Sequence, residues 1–152
     1  MSISTVLGSI FGRAVGPVIG FFTRRRDRRA EACAALRATF HNELKGLYPR
    51  PTNWPKSTGI EHRLKSAFPA LQGAVATFRP YVPDKDKPRF DEAWRDYRCA
   101  TKRDIDDQSY THYMNMTSTE PNTFGGETTI PNDGKANFKR NVDRLLSFAP
   151  DT

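Results

Sequence analysis

From Ile3 to Phe22 nearly every position is apolar or small, and Arg13 is the one formal charge. A helix of about 20 residues spans roughly 30 Å, the depth of a bilayer's hydrocarbon core, so this run predicts an N-terminal hydrophobic helix. After it the pattern changes to one apolar position in every three or four, the mark of helices that bury a single face. Cys33, Leu36, Phe40, Leu44 and Leu47 lie on one stripe of a helix from Arg29 to Tyr48, which Pro49 ends. This places Cys33 in the core and His41 at its border. The proline-rich segment Pro49 to Ser57 predicts a connector whose Trp54 packs back on the domain.

Ser57 or Thr58 then caps a helix carrying Ile60, Leu64 and Phe68. Leu71, Val75 and Phe78 continue that stripe past Pro69, so one kinked helix and two abutting helices fit equally. Pro88 suits the first turn of a third helix with Phe90, Ala93, Trp94 and Tyr97 on one side and an Asp91–Arg95 pair on its surface. Between Ala100 and Gly134 no helical period survives. Ser109 to Met116 alone looks able to pack there, as extended chain, and no hairpin signal is visible. Asn132 or Asp133 caps a last helix on which Phe138, Val142, Leu145 and Ala149 align. The expected fold is all-α: a small bundle of about four helices preceded by the hydrophobic glycine-rich helix. The expected divisions are 1–22, a basic segment 23–29, and a helical domain 30–150 with an irregular loop 100–133.

Composition narrows the picture at three points. The 152 residues accommodate one core, and 11% aromatic content is enough to build it. Cys33 and Cys99 make no disulfide framework and predict two free thiols in a reducing compartment. The net charge of +7 is local, because Arg13 with Arg24, Arg25, Arg26, Asp27, Arg28 and Arg29 carries +5 of it. No basic residue precedes position 13, so the hydrophobic run lacks the n-region of a cleaved signal peptide. The arginines follow the run, and the positive-inside rule holds them and all that follows in the cytoplasm.

Gly8, Gly12, Gly16 and Gly20 recur every four residues and form one ridge, with Arg13 at its edge. Glycine costs a soluble helix about 1 kcal/mol per position against alanine, whereas in a bilayer a ridge without side chains lets helices approach closely. The spacing resembles the glycine zippers of oligomeric membrane helices and of some membrane-disrupting peptides. Ten strong apolar residues at about −0.3 to −0.6 kcal/mol each only just outweigh a mid-span arginine at about +2.5 to +3.5. A helix lying in the plane of an anionic leaflet, or an arm docked on a partner, is therefore the alternative to a spanning one.

The phrase Phe78-Arg79-Pro80-Tyr81-Val82-Pro83, followed by Phe90-Asp91-Glu92-Ala93-Trp94-Arg95-Asp96-Tyr97, resembles stretches in small uncharacterised bacterial proteins, some with an N-terminal hydrophobic helix. The resemblance implies a bacterial or phage setting and no activity.

Candidate chemistry is sparse. No P-loop, dinucleotide fingerprint, zincin motif, nucleophile elbow or paired CxxC is present. His41, His62 and His112 lack partners at metal-ligand spacing, and Asp104, Asp106 and Asp107 lack the glycine and length of a calcium loop. Cys99 with His112 is permitted as a nucleophilic pair by residue type alone. We therefore expect neither catalytic residues, nor a metal, nor a cofactor. The arginine cluster binds phosphate, and an abutting apolar run without interleaved aromatics favours lipid over nucleic acid. The expectation is a non-enzymatic protein of the bacterial inner membrane that self-associates through its glycine ridge and engages a protein partner with its cytosolic domain. The alternatives are a pore-forming or membrane-disrupting effector, and a cytosolic enzyme or nucleic-acid-binding protein with an N-terminal arm.

Overall fold

The computed structural model describes residues 15–56, 58–100, 108–114, 117–121, 127–131 and 133–151. Gly8, Gly12 and Arg13, together with Asp104, Asp106 and Asp107, lie outside these residues. Four helices carry the fold: α1 (Val15–Glu43), α2 (Thr58–Phe78), α3 (Lys87–Arg98) and α4 (Gly134–Leu146).

The helix expected to begin near Arg29 begins earlier. Arginine, alanine, glutamate and leucine dominate positions 24 to 37, all strong helix formers, and no glycine or proline lies between Phe21 and Glu43. The expected boundaries at 22/23 and 29/30 both fall inside this single rod of about 44 Å. Cys33, Leu36 and Phe40 are buried on one stripe, and Leu44 and Leu47 follow in the turn that ends the helix. Gly46 has φ 83, a left-handed conformation, and a β-carbon there would meet the Asn53 side chain at 3.3 Å. Leu47 and Tyr48 amides then donate to the Leu44 carbonyl, and a cis bond joins Tyr48 to Pro49.

Helix α2 runs through Pro69 without ending, so the continuous alternative holds. Its stripe of Ile60, Leu64, Leu71, Val75 and Phe78 packs on α1, and Phe68 is half-buried and stacked on Trp94. Helix α3 buries Phe90, Ala93, Trp94 and Tyr97, and α4 buries Phe138, Val142, Leu145 and Leu146. The Asp133 carboxylate accepts from the Ala136 amide and caps α4, as its position predicted. Tyr97 sits at the centre of the core, with the rings of Phe40, Trp94, Tyr110, Tyr113 and Phe138 within 6.2 Å. Trp54 packs edge-on against Phe138, which closes the proline-rich connector over the bundle.

Three local expectations are corrected. The stretch 100–134 contains a hairpin, β1 (Thr117–Pro121) antiparallel to β2 (Glu127–Pro131), in register from Thr117↔Pro131 to Pro121↔Glu127. Threonine-rich, non-alternating strands gave no period-2 hydrophobic signal, and the pairing rests on backbone bonds that residue types barely announce. Tyr110 to Met114 packs as expected, but as a short 3-10 turn (Thr111–Tyr113) rather than extended chain. The third correction concerns α3: Asp91 pairs with Arg79, not Arg95, which approaches Glu92 instead. The bidentate geometry available to Arg79 outcompetes a weak i,i+4 contact.

Candidate functional site

A concavity lies between the arginine-bearing part of α1 and the segment joining α2 to α3. It is an open groove of about 810 Å³, lined on one side by Arg24, Arg25, Arg26, Arg28 and Arg29 and on the other by Pro80, Tyr81, Val82, Pro83 and Asp84. Helical geometry spreads the five arginines over about 200° of the cylinder and leaves Asp27 outside that arc.

The opposite wall is preformed. Two 3-10 turns, Arg79–Tyr81 and Asp84–Asp86, follow one another, and Pro80 and Pro83 fix φ in both. The Val82 amide donates to the Arg79 carbonyl at 3.1 Å, and the Asp86 amide donates to the Pro83 carbonyl at 2.8 Å. Val82 is inserted into the core, and Tyr81 packs half-buried against it. Arg79 clamps Asp91 through Nε at 2.7 Å and Nη2 at 2.6 Å, which ties the start of the wall to α3. A second, smaller cleft shares Arg29 and Pro83 and extends past Arg89 to Phe148.

The electrostatics of the two walls differ. All five arginines are exposed, and among the described residues none forms a hydrogen bond or ion pair with an acid. The groove's carboxylate, Asp84, accepts from Lys87 Nζ at 2.5 Å. That bond, and more weakly the field of Arg25, holds it below the ordinary carboxylate range. Five guanidiniums thus line a groove whose one acid among the described residues is already shared with a lysine.

Two other arginines are engaged across the fold. Arg144 bridges Glu92 at 2.9 Å and Asp96 at 2.6 Å, and Arg37 donates to the Ala149 carbonyl while pairing with Asp151. Asn141 donates to both the Asp96 carbonyl and the Tyr113 hydroxyl at 3.0 Å, and that hydroxyl donates to the Tyr97 carbonyl at 2.9 Å. Burial pushes the phenols of Tyr97 and Tyr113 well above their ordinary range. Tyr48, partly buried and donating to Asp143, is raised to about 12.

Of the residues singled out in the sequence, the arginine cluster is brought together as one surface. Gly16 and Gly20 lie within α1. Cys33 and Cys99 are buried and form no disulfide, and His41 is exposed beside Tyr48. Among the described residues no group of three His, Cys, Asp or Glu side chains is placed to hold a metal, and no helix is long and apolar enough to cross a membrane. The Pro80–Asp84 wall escaped sequence reasoning, because nothing local reveals that it faces residues more than fifty positions earlier. Compared with family models, curated proteins and solved structures, the chain matches none.

Proposed function

We propose that this is a non-enzymatic bacterial protein held at the cytoplasmic face of the inner membrane by its first 22 residues, self-associating through the glycine ridge, with the helical body engaging a protein partner. The observation that carries this reading is the continuity of α1. One helix joins positions 15–22 to the core, and between them sit five exposed arginines that form no ion pair among the described residues. Attachment of the N-terminal segment then positions the body rigidly, with Cys33, the first buried core residue, about 14 Å along the helix from Arg24. Each arginine near an anionic surface contributes about 1 kcal/mol of attraction.

Fractionation of the full-length chain tests this. We expect it in the membrane pellet at high salt and in solution only with detergent; a chain that stays soluble at high salt without detergent overturns the proposal. Replacing Gly12 and Gly16 with leucine should abolish cross-linked oligomers while leaving membrane content intact, because leucine blocks close approach but adds hydrophobicity.

A further inference from the structure

Generic attraction to an anionic surface needs no concavity, yet these arginines face a rigid, partly apolar wall. We propose that the groove between Arg24–Arg29 and Pro80–Asp84 is a binding pocket for the phosphate headgroup of an anionic lipid that carries more than one negative charge. The inference takes the source of its ligand from the membrane reading above and goes beyond it by assigning a saturable, stereochemically defined site.

Three observations carry it. The volume of about 810 Å³ falls within the range of small-ligand sites, roughly 300 to 1,000 Å³. The two walls are chemically unlike: guanidiniums, which suit phosphate oxygens through paired N–H donors, oppose two proline rings and the Tyr81 side chain, which suit the glycerol and first methylenes of a lipid. Among the described residues, none of these guanidiniums forms an ion pair. A single phosphodiester supplies one negative charge against these five cations, whereas a phosphate monoester supplies about 1.5 to 2.

Asp84 gives the proposal its sharpest consequence. Its carboxylate lines the groove and its side chain is 95% exposed, so its removal disturbs no core contact. If phosphate enters the groove, Asp84 repels it. Asp84→Asn should therefore tighten binding, a gain that loss of structure does not mimic.

The test uses full-length protein in neutral detergent. Binding of water-soluble dihexanoyl phosphatidic acid, dihexanoyl phosphatidylcholine and inorganic pyrophosphate is measured by titration calorimetry. Three variants accompany the wild type: Asp84→Asn; Arg25→Gln with Arg29→Gln; and, as a control of equal charge, Lys135→Gln with Arg140→Gln on α4. We expect saturable binding of phosphatidic acid, none of phosphatidylcholine, a gain of roughly threefold to tenfold for Asp84→Asn, and a loss of at least about tenfold for the α1 pair. The α4 pair should bind as wild type. Equal weakening by both charge-matched pairs, or no gain from Asp84→Asn, overturns the pocket. Pyrophosphate binding tighter than phosphatidic acid overturns the lipid source and reassigns the groove to a soluble ligand. Flotation of the same variants on phosphatidylcholine vesicles containing phosphatidic acid separates the two readings. Protein that floats while Asp84→Asn has no effect leaves the membrane proposal standing and removes the pocket, and protein that binds the soluble lipid yet never floats does the reverse.

Discussion

The two halves of α1 treat charge in opposite ways. Beyond Cys33 the helix is part of the bundle, and its Arg37 is tied to Ala149 and Asp151 across the fold. Before Cys33 it carries five arginines, none of which forms a hydrogen bond or ion pair with an acid among the described residues. The same contrast separates that segment from α3 and α4, where Arg144 holds Glu92 and Asp96 together. A charge satisfied inside the fold contributes to holding it, whereas a cluster left unpaired repels itself and contributes nothing to folding. What it offers is attraction for anions from outside.

This difference breaks most visibly in the core. Replacing Tyr97 with alanine removes the ring on which five others converge, and we expect a loss of about 3 to 5 kcal/mol in urea unfolding, enough to unfold a marginal domain. Converting Arg24, Arg25, Arg26, Arg28 and Arg29 together to glutamine should shift the same measurement by less than about 1 kcal/mol despite removing five charges. A loss comparable to that of Tyr97→Ala would show that the segment belongs to the folded body after all.

Asn141→Leu tests the polar side of the body. It removes the donor shared by the Asp96 carbonyl and the Tyr113 hydroxyl, and the expected cost is about 1 to 3 kcal/mol, read from the shift in urea midpoint. Arg144→Gln is milder, because its ion pairs are between a third and a half exposed and solvent screens them. Its cost should stay below about 1 kcal/mol and shrink with added salt.

The smallest effect is alkaline. Tyr48 has its pKa raised to about 12 in the folded chain, chiefly by burial and then by the hydrogen bond to Asp143. Its contribution is complete below the unfolded value near 10 and disappears as pH rises through about 12. Stability should therefore fall with pH above about 10, and Tyr48→Phe should lessen the slope. An unchanged slope in a urea series at rising pH would mean that Tyr97 and Tyr113, both raised by burial, account for all of it.

Periodicity alone determined the helical faces. Leu36, Phe40, Ile60, Leu64, Phe90, Tyr97, Phe138 and Val142 are buried where a 3.6-residue repeat places them, because burying an apolar stripe is the dominant local demand on each helix. The cap at Asp133 and the stop at Pro49 are equally local, as is the run of arginines between an apolar stretch and the first core residue. The tertiary structure decided three other matters. It carried α1 through the arginines without a break, since neither glycine nor proline lies between Phe21 and Glu43. It gave Asp91 to Arg79 instead of Arg95, since partners brought together by the chain's path compete with partners set by spacing. And it set Pro80–Asp84 opposite the arginines, turning a charged stretch into a groove with two unlike walls, a juxtaposition fixed by the packing of Val82 and Phe78 in the core.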